Sequence, residues 1–100
     1  MPQPTNCFFA KVRKLNEFRP GVTSLVLFGL EIEGDNPMYL EIRFEDYETI
    51  QIEGDHLMLG LEEAMESAEL EYGILRSDWR EMSEMEIQRI PFFVGGLPVK

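Results

Sequence analysis

Two apolar runs joined by a short polar link, between positions 22 and 44, constrain this chain more than any other feature. In the second run, apolar and polar residues alternate from Met38 to Glu45, which is the period-two pattern of a β-strand with one solvent-facing side. The first run has apolar residues at even positions and also carries Leu25 and Leu27 on the opposite side. We therefore predict an antiparallel hairpin whose first strand lies inside the sheet.

The register of this hairpin is restricted because both apolar faces must lie on the same side of the sheet. A slip of one residue would turn one face outward, so the numbers of paired residues must sum to an even value. Two pairings satisfy this condition with a tight loop, in which Met38 faces either Ile32 or Gly34. The link at residues 34–37 has the sequence Gly-Asp-Asn-Pro, and each of these residue types favours turns.

Strands are also predicted on both sides of the hairpin. Apolar and basic residues alternate in the segment 7–15, which predicts a strand near an edge of the sheet. After the hairpin, Ile50 and Ile52 alternate with polar residues, which predicts a short fourth strand that ends at Gly54.

From Asp55 to Gly73 the apolar period changes to the spacing of a helix. Apolar residues between 57 and 72 recur mostly at every third or fourth position, and they form a single stripe. Asp55 is the candidate N-cap, and Gly73 stands where a glycine commonly ends a helix. Because Gly60 would weaken the first turn, the alternative is a helix that begins at Leu61.

The end of the chain allows two interpretations. Ser77 or Asp78 would cap a short helix, whereas residues 85–90 alternate as a strand does. Residues 92–100 are largely apolar, so we expect this segment to be covered, either by the rest of the domain or by a second subunit. These elements together predict one α+β domain over residues 1–100, in which an antiparallel sheet of about four strands carries one helix on one face.

The net charge of −10 at pH 7 is distributed unevenly along the chain. Residues 1–30 carry four bases and one acid, whereas the remaining residues carry eighteen acids and five bases. A protein needs a clustered basic surface to contact the phosphates of a nucleic acid, so we expect no direct contact with nucleic acid. A basic protein is the partner that this acidity favours.

The sequence shows neither a targeting pattern nor a membrane-spanning one. No segment approaches the ~20 apolar residues that span a bilayer, and the first residues lack the basic and apolar regions of a secretory signal. The single cysteine, Cys7, cannot form a disulfide within the chain and fits a reducing compartment. We therefore expect a cytoplasmic protein without membrane contacts.

The reactive side chains do not combine into a catalytic set. A single histidine, His56, excludes metal sites with two or more histidine ligands. Asp55 beside His56 is a candidate general base, yet no nucleophile accompanies it. The acids at positions 31, 33 and 35 lack the spacing of a dedicated calcium loop. We expect no enzymatic activity, cofactor or metal, and a small enzyme that uses Asp55 and His56 is an alternative.

The predicted helix carries glutamates on its outer side, without a basic residue among them. Like charges at neighbouring helical positions destabilise a helix by ~0.2 to 0.5 kcal/mol per pair, so such a side has a cost in stability. The candidate partner-binding residues are Glu62, Glu63, Glu66 and Glu69. The alternative interpretation of this side is a solvated outer face.

Three short stretches resemble parts of small acidic immunity proteins from bacterial toxin–immunity systems. They are Tyr39-Leu40-Glu41 on a predicted strand, Leu59-Gly60-Leu61 after an acidic stretch, and Tyr72-Gly73-Ile74. The resemblance implies a protein that neutralises a toxin by binding it, and it assigns no role to an individual residue. The chain departs from such proteins where it has helical spacing, because they have an extended hairpin between the second and third stretches.

The acidity and the lack of a catalytic set predict a non-catalytic binding protein. The most concrete form of this prediction is an inhibitor or immunity-type protein that binds and neutralises a basic partner, such as a toxin. The alternative is an assembly subunit that forms a homodimer through its apolar segment at residues 92–100.

Overall fold

The computed structural model describes residues 6–30, 34 and 36–90. It contains an antiparallel sheet and one long helix, which confirms the predicted α+β class. The strands are β1 (Cys7–Lys11), β2 (Ser24–Leu30), β3 (Met38–Asp46), β4 (Gln51–Met58) and β5 (Arg80–Glu81), and the helices are α1 (Leu61–Tyr72) and α2 (Glu84–Arg89). A 3-10 turn, Arg76–Asp78, lies between α1 and β5.

The predicted hairpin lies at the centre of the sheet, whose strand order is β4-β3-β2-β1-β5. Its register has the predicted even sum, because Leu30 faces Met38 and the further pairs follow in step. The two predicted pairings of Met38, with Ile32 or with Gly34, are therefore wrong. The observed register sets buried residues of β2 opposite buried residues of β3 along most of the pair, and this packing outweighs the preference for a short turn.

Both strands that flank the hairpin differ from the prediction. β1 ends at Lys11, because the chain then leaves the sheet and its backbone donates hydrogen bonds to the carbonyl oxygen of Tyr72, at the end of α1. The predicted position of β1 near an edge is confirmed, because only the two-residue strand β5 lies outside it among the described residues. β4 does not end at Gly54 but continues to Met58, because its pairing with β3 extends that far.

Both faces of the sheet are covered, so the middle of β3 has no solvent-facing side. On one face, residues from the segment around α2 pack against the apolar even-numbered residues of β2 and β3. On the other face, which α1 covers, Tyr39, Glu41 and Arg43 are buried. The prediction that these three side chains face solvent is wrong, and the pairing of the two opposite charges makes their burial tolerable.

The segment after α1 forms a second helix where the sequence allowed helix or strand. Ser83 caps α2: its hydroxyl accepts from the N–H of Glu86 at 3.2 Å, and the Glu86 carboxylate accepts from the N–H of Ser83 at 2.9 Å. Ser77 and Asp78 lie in the 3-10 turn, so their predicted role as caps is wrong. Residues 92–100, on which the predicted homodimer depends, lie outside the described residues. Among the helices of the described residues, none is long and apolar enough to cross a membrane.

Candidate functional site

The acidic helix α1 is bounded by two glycines. Gly60 is the N-cap and α1 starts at Leu61, which confirms the later of the two predicted starts. Asp55 lies in β4, which keeps pairing with β3 beyond it, so its predicted role as N-cap is wrong. Gly73 adopts the left-handed conformation with a φ of 69°, and its N–H donates to the carbonyl oxygen of Glu69, as predicted for a C-terminal glycine.

The C-terminal end of α1 is held by the β1–β2 loop, residues 12–23. The last turn of α1 has no basic residue, although its carbonyl groups carry a partial negative charge. Lys14 supplies a positive charge from the loop, since its ammonium donates to the carbonyl oxygen of Leu70 at 3.2 Å. The side-chain amide of Asn16 donates to the carbonyl oxygen of Glu71 at 3.1 Å. These bonds fix the loop and the end of the helix relative to each other.

The four predicted partner-binding residues lie together on one exposed side of α1, which we call the acidic face. It consists of Glu62, Glu63, Glu66 and Glu69. Glu66 lies one helical turn from each of the other three, so its carboxylate is repelled by all of them. The structure therefore brings the four predicted residues into one patch.

One base reaches the acidic face from outside α1. Arg76, in the 3-10 turn, donates to the carboxylate of Glu62 through both terminal nitrogens. The hydrogen bonds with Glu62 raise the pKa of Arg76, and the charges of the neighbouring glutamates act in the same direction. Within residues 6–30, 34 and 36–90, no basic nitrogen lies within 4.0 Å of the carboxylates of Glu63, Glu66 and Glu69. These three charges are therefore available to a partner.

A network of four charged side chains begins with two buried ones beneath α1 and extends to two exposed ones. Glu41 and Arg43 are 2% and 9% exposed, and Nη1 of Arg43 lies 3.6 Å from Oε1 of Glu41. Arg43 also donates through Nε to Glu53 of β4 at 2.6 Å. Glu53 in turn accepts from Nη1 of Arg19, in the β1–β2 loop, at 3.0 Å. The network thus joins β3, β4 and the loop that supports α1.

Two buried polar atoms near this network have no hydrogen-bond partner among the described residues. They are Oε2 of Glu41 and the hydroxyl of Tyr72. Burial raises the pKa of Glu41, and the charge of Arg43 opposes this shift. The hydrogen bond from Arg43 instead lowers the pKa of Glu53. Glu41 is therefore the carboxylate of the network that takes up a proton more readily.

We expect Gly54→Ala to lower the free energy of unfolding by about 1 to 3 kcal/mol, the usual cost of overpacking. A Cβ atom at this position would lie 2.5 Å from Nη2 of Arg43, whose guanidinium is fixed by its bond to Glu53. Urea denaturation of both proteins measures the difference. The same substitution added to Arg43→Met is the control, because the guanidinium that the Cβ atom would meet is then absent, and an equal loss in both backgrounds would contradict close packing at Gly54.

The structure does not bring together the side chains of Asp55 and His56, the candidate general base. Asp55 faces Ile42 and His56 faces Glu41, so the two side chains point to opposite faces of β4. The acids at positions 31, 33 and 35 lie outside the described residues. In the part of the chain that the structure describes, no group of three or more His, Cys, Asp or Glu residues is placed to hold a metal ion.

Exposed apolar side chains near the C-terminal end of α1 are a feature that was not predicted from the sequence. Leu70 on α1 and Leu15 and Phe18 in the β1–β2 loop are all exposed. They line an open groove of about 520 Å³. Their positions in the sequence gave no periodic signal, because the groove forms only when the loop packs against the helix.

The geometry of the acidic face suits the recognition of positive charge. Three carboxylates without a basic neighbour among the described residues project from a helix that is capped by Gly73 and held by the β1–β2 loop. Comparisons of the chain with protein-family models, with curated protein sequences and with solved structures found no match.

Proposed function

We propose that this protein is a non-catalytic inhibitor, of the immunity type, that binds and neutralises a basic protein through its acidic face. The observation that carries the proposal is the set of three carboxylates on α1 that have no basic neighbour among the described residues: Glu63, Glu66 and Glu69. A cytoplasmic location belongs to the same proposal, since a chain with a single cysteine suits a reducing compartment.

The charge pattern supports binding because it is unfavourable in the isolated protein. Each like-charged pair on α1 costs ~0.2 to 0.5 kcal/mol, and the only ion pair on the acidic face within the described residues is that of Glu62 with Arg76. A basic partner would relieve this repulsion. The attraction would also accelerate the encounter, and its effect would decrease as salt screens the charges.

We expect reversal of Glu63, Glu66 and Glu69 to lysine to slow association with a basic partner by about tenfold or more at low ionic strength. Affinity capture from the host lysate, eluted with salt and analysed by mass spectrometry, identifies the partner. Stopped-flow mixing with that purified partner over a range of salt concentrations then measures the association rate constant.

The control for this prediction makes the same charge change on other elements. Glu48, Glu81 and Glu84 are exposed and lie outside α1, so their reversal to lysine changes the net charge equally. Equal slowing by the two triple variants would show that net charge acts without the acidic face. If the protein instead captures only further copies of itself, and light scattering finds more than one copy per particle, the assembly subunit replaces the inhibitor.

A further inference from the structure

The β1–β2 loop holds Phe18 in an exposed position by hydrogen bonds within and outside the loop. Oδ1 of Asn16 accepts from the N–H groups of Phe18 and Arg19 at 2.9 and 3.1 Å. The same Asn16 donates to the end of α1, and Arg19 is paired with Glu53 of β4. The Phe18 ring nevertheless makes little contact with the protein, since the residue is 88% exposed.

Two leucines extend the apolar surface around this ring. Leu15 is 67% exposed and Leu70 is 78% exposed, and both line the same groove as Phe18. Single exposed apolar residues are ordinary, but several around one groove are typical of binding surfaces. Because the backbone beneath Phe18 is already fixed, little further ordering would be needed when a partner covers it.

This apolar surface is continuous with the acidic face. Leu70 follows Glu66 by four residues on α1, so the two side chains are neighbours on the helix surface. Glu17 and Glu71 also line the groove. Among the described residues, Lys14 is the only base that lines it, and its ammonium is already bonded to the carbonyl oxygen of Leu70. The surroundings of the apolar side chains are thus predominantly negative.

We propose that Leu15, Phe18 and Leu70 form the apolar centre of the binding interface, beside the acidic face. The occupant is a basic protein surface on which a large apolar side chain stands between lysine or arginine residues. The carboxylates of Glu17, Glu66 and Glu71 select the basic residues, while the groove receives the apolar side chain. This inference rests on the proposed function, and it assigns the energetic centre of the interface to the groove between the β1–β2 loop and the end of α1 rather than to the acidic face.

Two synthetic peptides test the inference without knowledge of the partner. They have equal length and equal lysine content, and they differ in a central pair of residues, tryptophan and leucine in one and two serines in the other. We expect the apolar peptide to bind about tenfold more tightly at low salt. Titration of isotope-labelled protein by NMR measures both dissociation constants and locates the amide shifts, which should include Phe18 and Leu70.

Phe18→Ser and Leu70→Ser should each reduce the difference between the peptides and leave the binding of the serine peptide unchanged. Met85→Ser is the matched control, because Met85 on α2 is also an apolar residue with 78% exposure. Equal affinity of the wild-type protein for both peptides, or an equal effect of the control variant, would overturn the inference and leave the proposed function standing. Failure of both peptides to bind at low salt would overturn the proposed function as well.

Discussion

Replacement of Arg43 by methionine is expected to lower the free energy of unfolding by about 3 to 5 kcal/mol, the cost of removing one partner from a buried ion pair. Arg43 lies beneath α1 and is the base within 4.0 Å of the buried Glu41 carboxylate. Methionine keeps much of the arginine stem but leaves the charge of Glu41 without a partner. Urea denaturation at neutral pH, analysed by linear extrapolation, measures the loss.

The pH dependence of this loss identifies its cause. Burial raises the pKa of Glu41 above its ordinary value, so the folded protein binds this proton more tightly than the unfolded chain does. The contribution of Glu41 to stability therefore falls as pH rises through the interval between the unfolded and folded pKa values. Without Arg43, whose charge lowers this pKa, the interval extends to higher pH. The loss in Arg43→Met should thus shrink as the pH is lowered towards the ordinary pKa of glutamate.

A second variant separates the charge of Glu41 from the packing of Arg43. Addition of Glu41→Gln to Arg43→Met removes the unpaired charge, so the double variant should recover a large part of the lost stability. A loss in Arg43→Met that is independent of pH, and that Glu41→Gln does not reduce, would contradict an electrostatic cause.

Glu41 and Arg43 show why the sequence predicts only one face of β3 correctly. Alternation along β3 predicts correctly that Leu40, Ile42 and Phe44 are buried, and parity predicts the even register. The alternation also predicts, wrongly, that Glu41 and Arg43 face solvent, because a periodic pattern treats each charge as unpaired. Charges that neutralise each other across a short distance can be buried, and this pairing depends on side-chain positions that a strand pattern does not contain.

Some features of the candidate site were predicted from the sequence, and others were not. Helical spacing places the four glutamates on one side of α1, and the structure brings them together as predicted. Arg76 reaches Glu62 only because the chain reverses after Gly73, and no local pattern contains that contact. The exposure of Phe18 likewise depends on how Asn16 fixes the β1–β2 loop against the helix. In the candidate site, the placement of side chains along one helix was therefore predictable, and the contacts between α1 and the segments that pack against it were not.

Replacement of Tyr72 by alanine is expected to lower the free energy of unfolding by about 3 to 5 kcal/mol, the range for truncating a large buried aromatic side chain. Tyr72 is fully buried at the end of α1, where its ring packs with the core that includes Ala10, Leu25 and Ile74. Tyr72→Phe keeps the ring and removes a buried hydroxyl that has no hydrogen-bond partner among the described residues. We expect this second variant to be as stable as the wild type or slightly more stable.

The two Tyr72 variants share every backbone contact, which makes their comparison informative. The N–H groups of Arg13 and Lys14 donate to the carbonyl oxygen of residue 72 at 3.0 and 2.8 Å whatever its side chain is. A difference in urea denaturation between the variants therefore reports the packing of the ring. If Tyr72→Phe lost as much stability as Tyr72→Ala, the hydroxyl rather than the ring would hold this end of α1. The acidic face and the β1–β2 loop would then depend on a polar contact at this point.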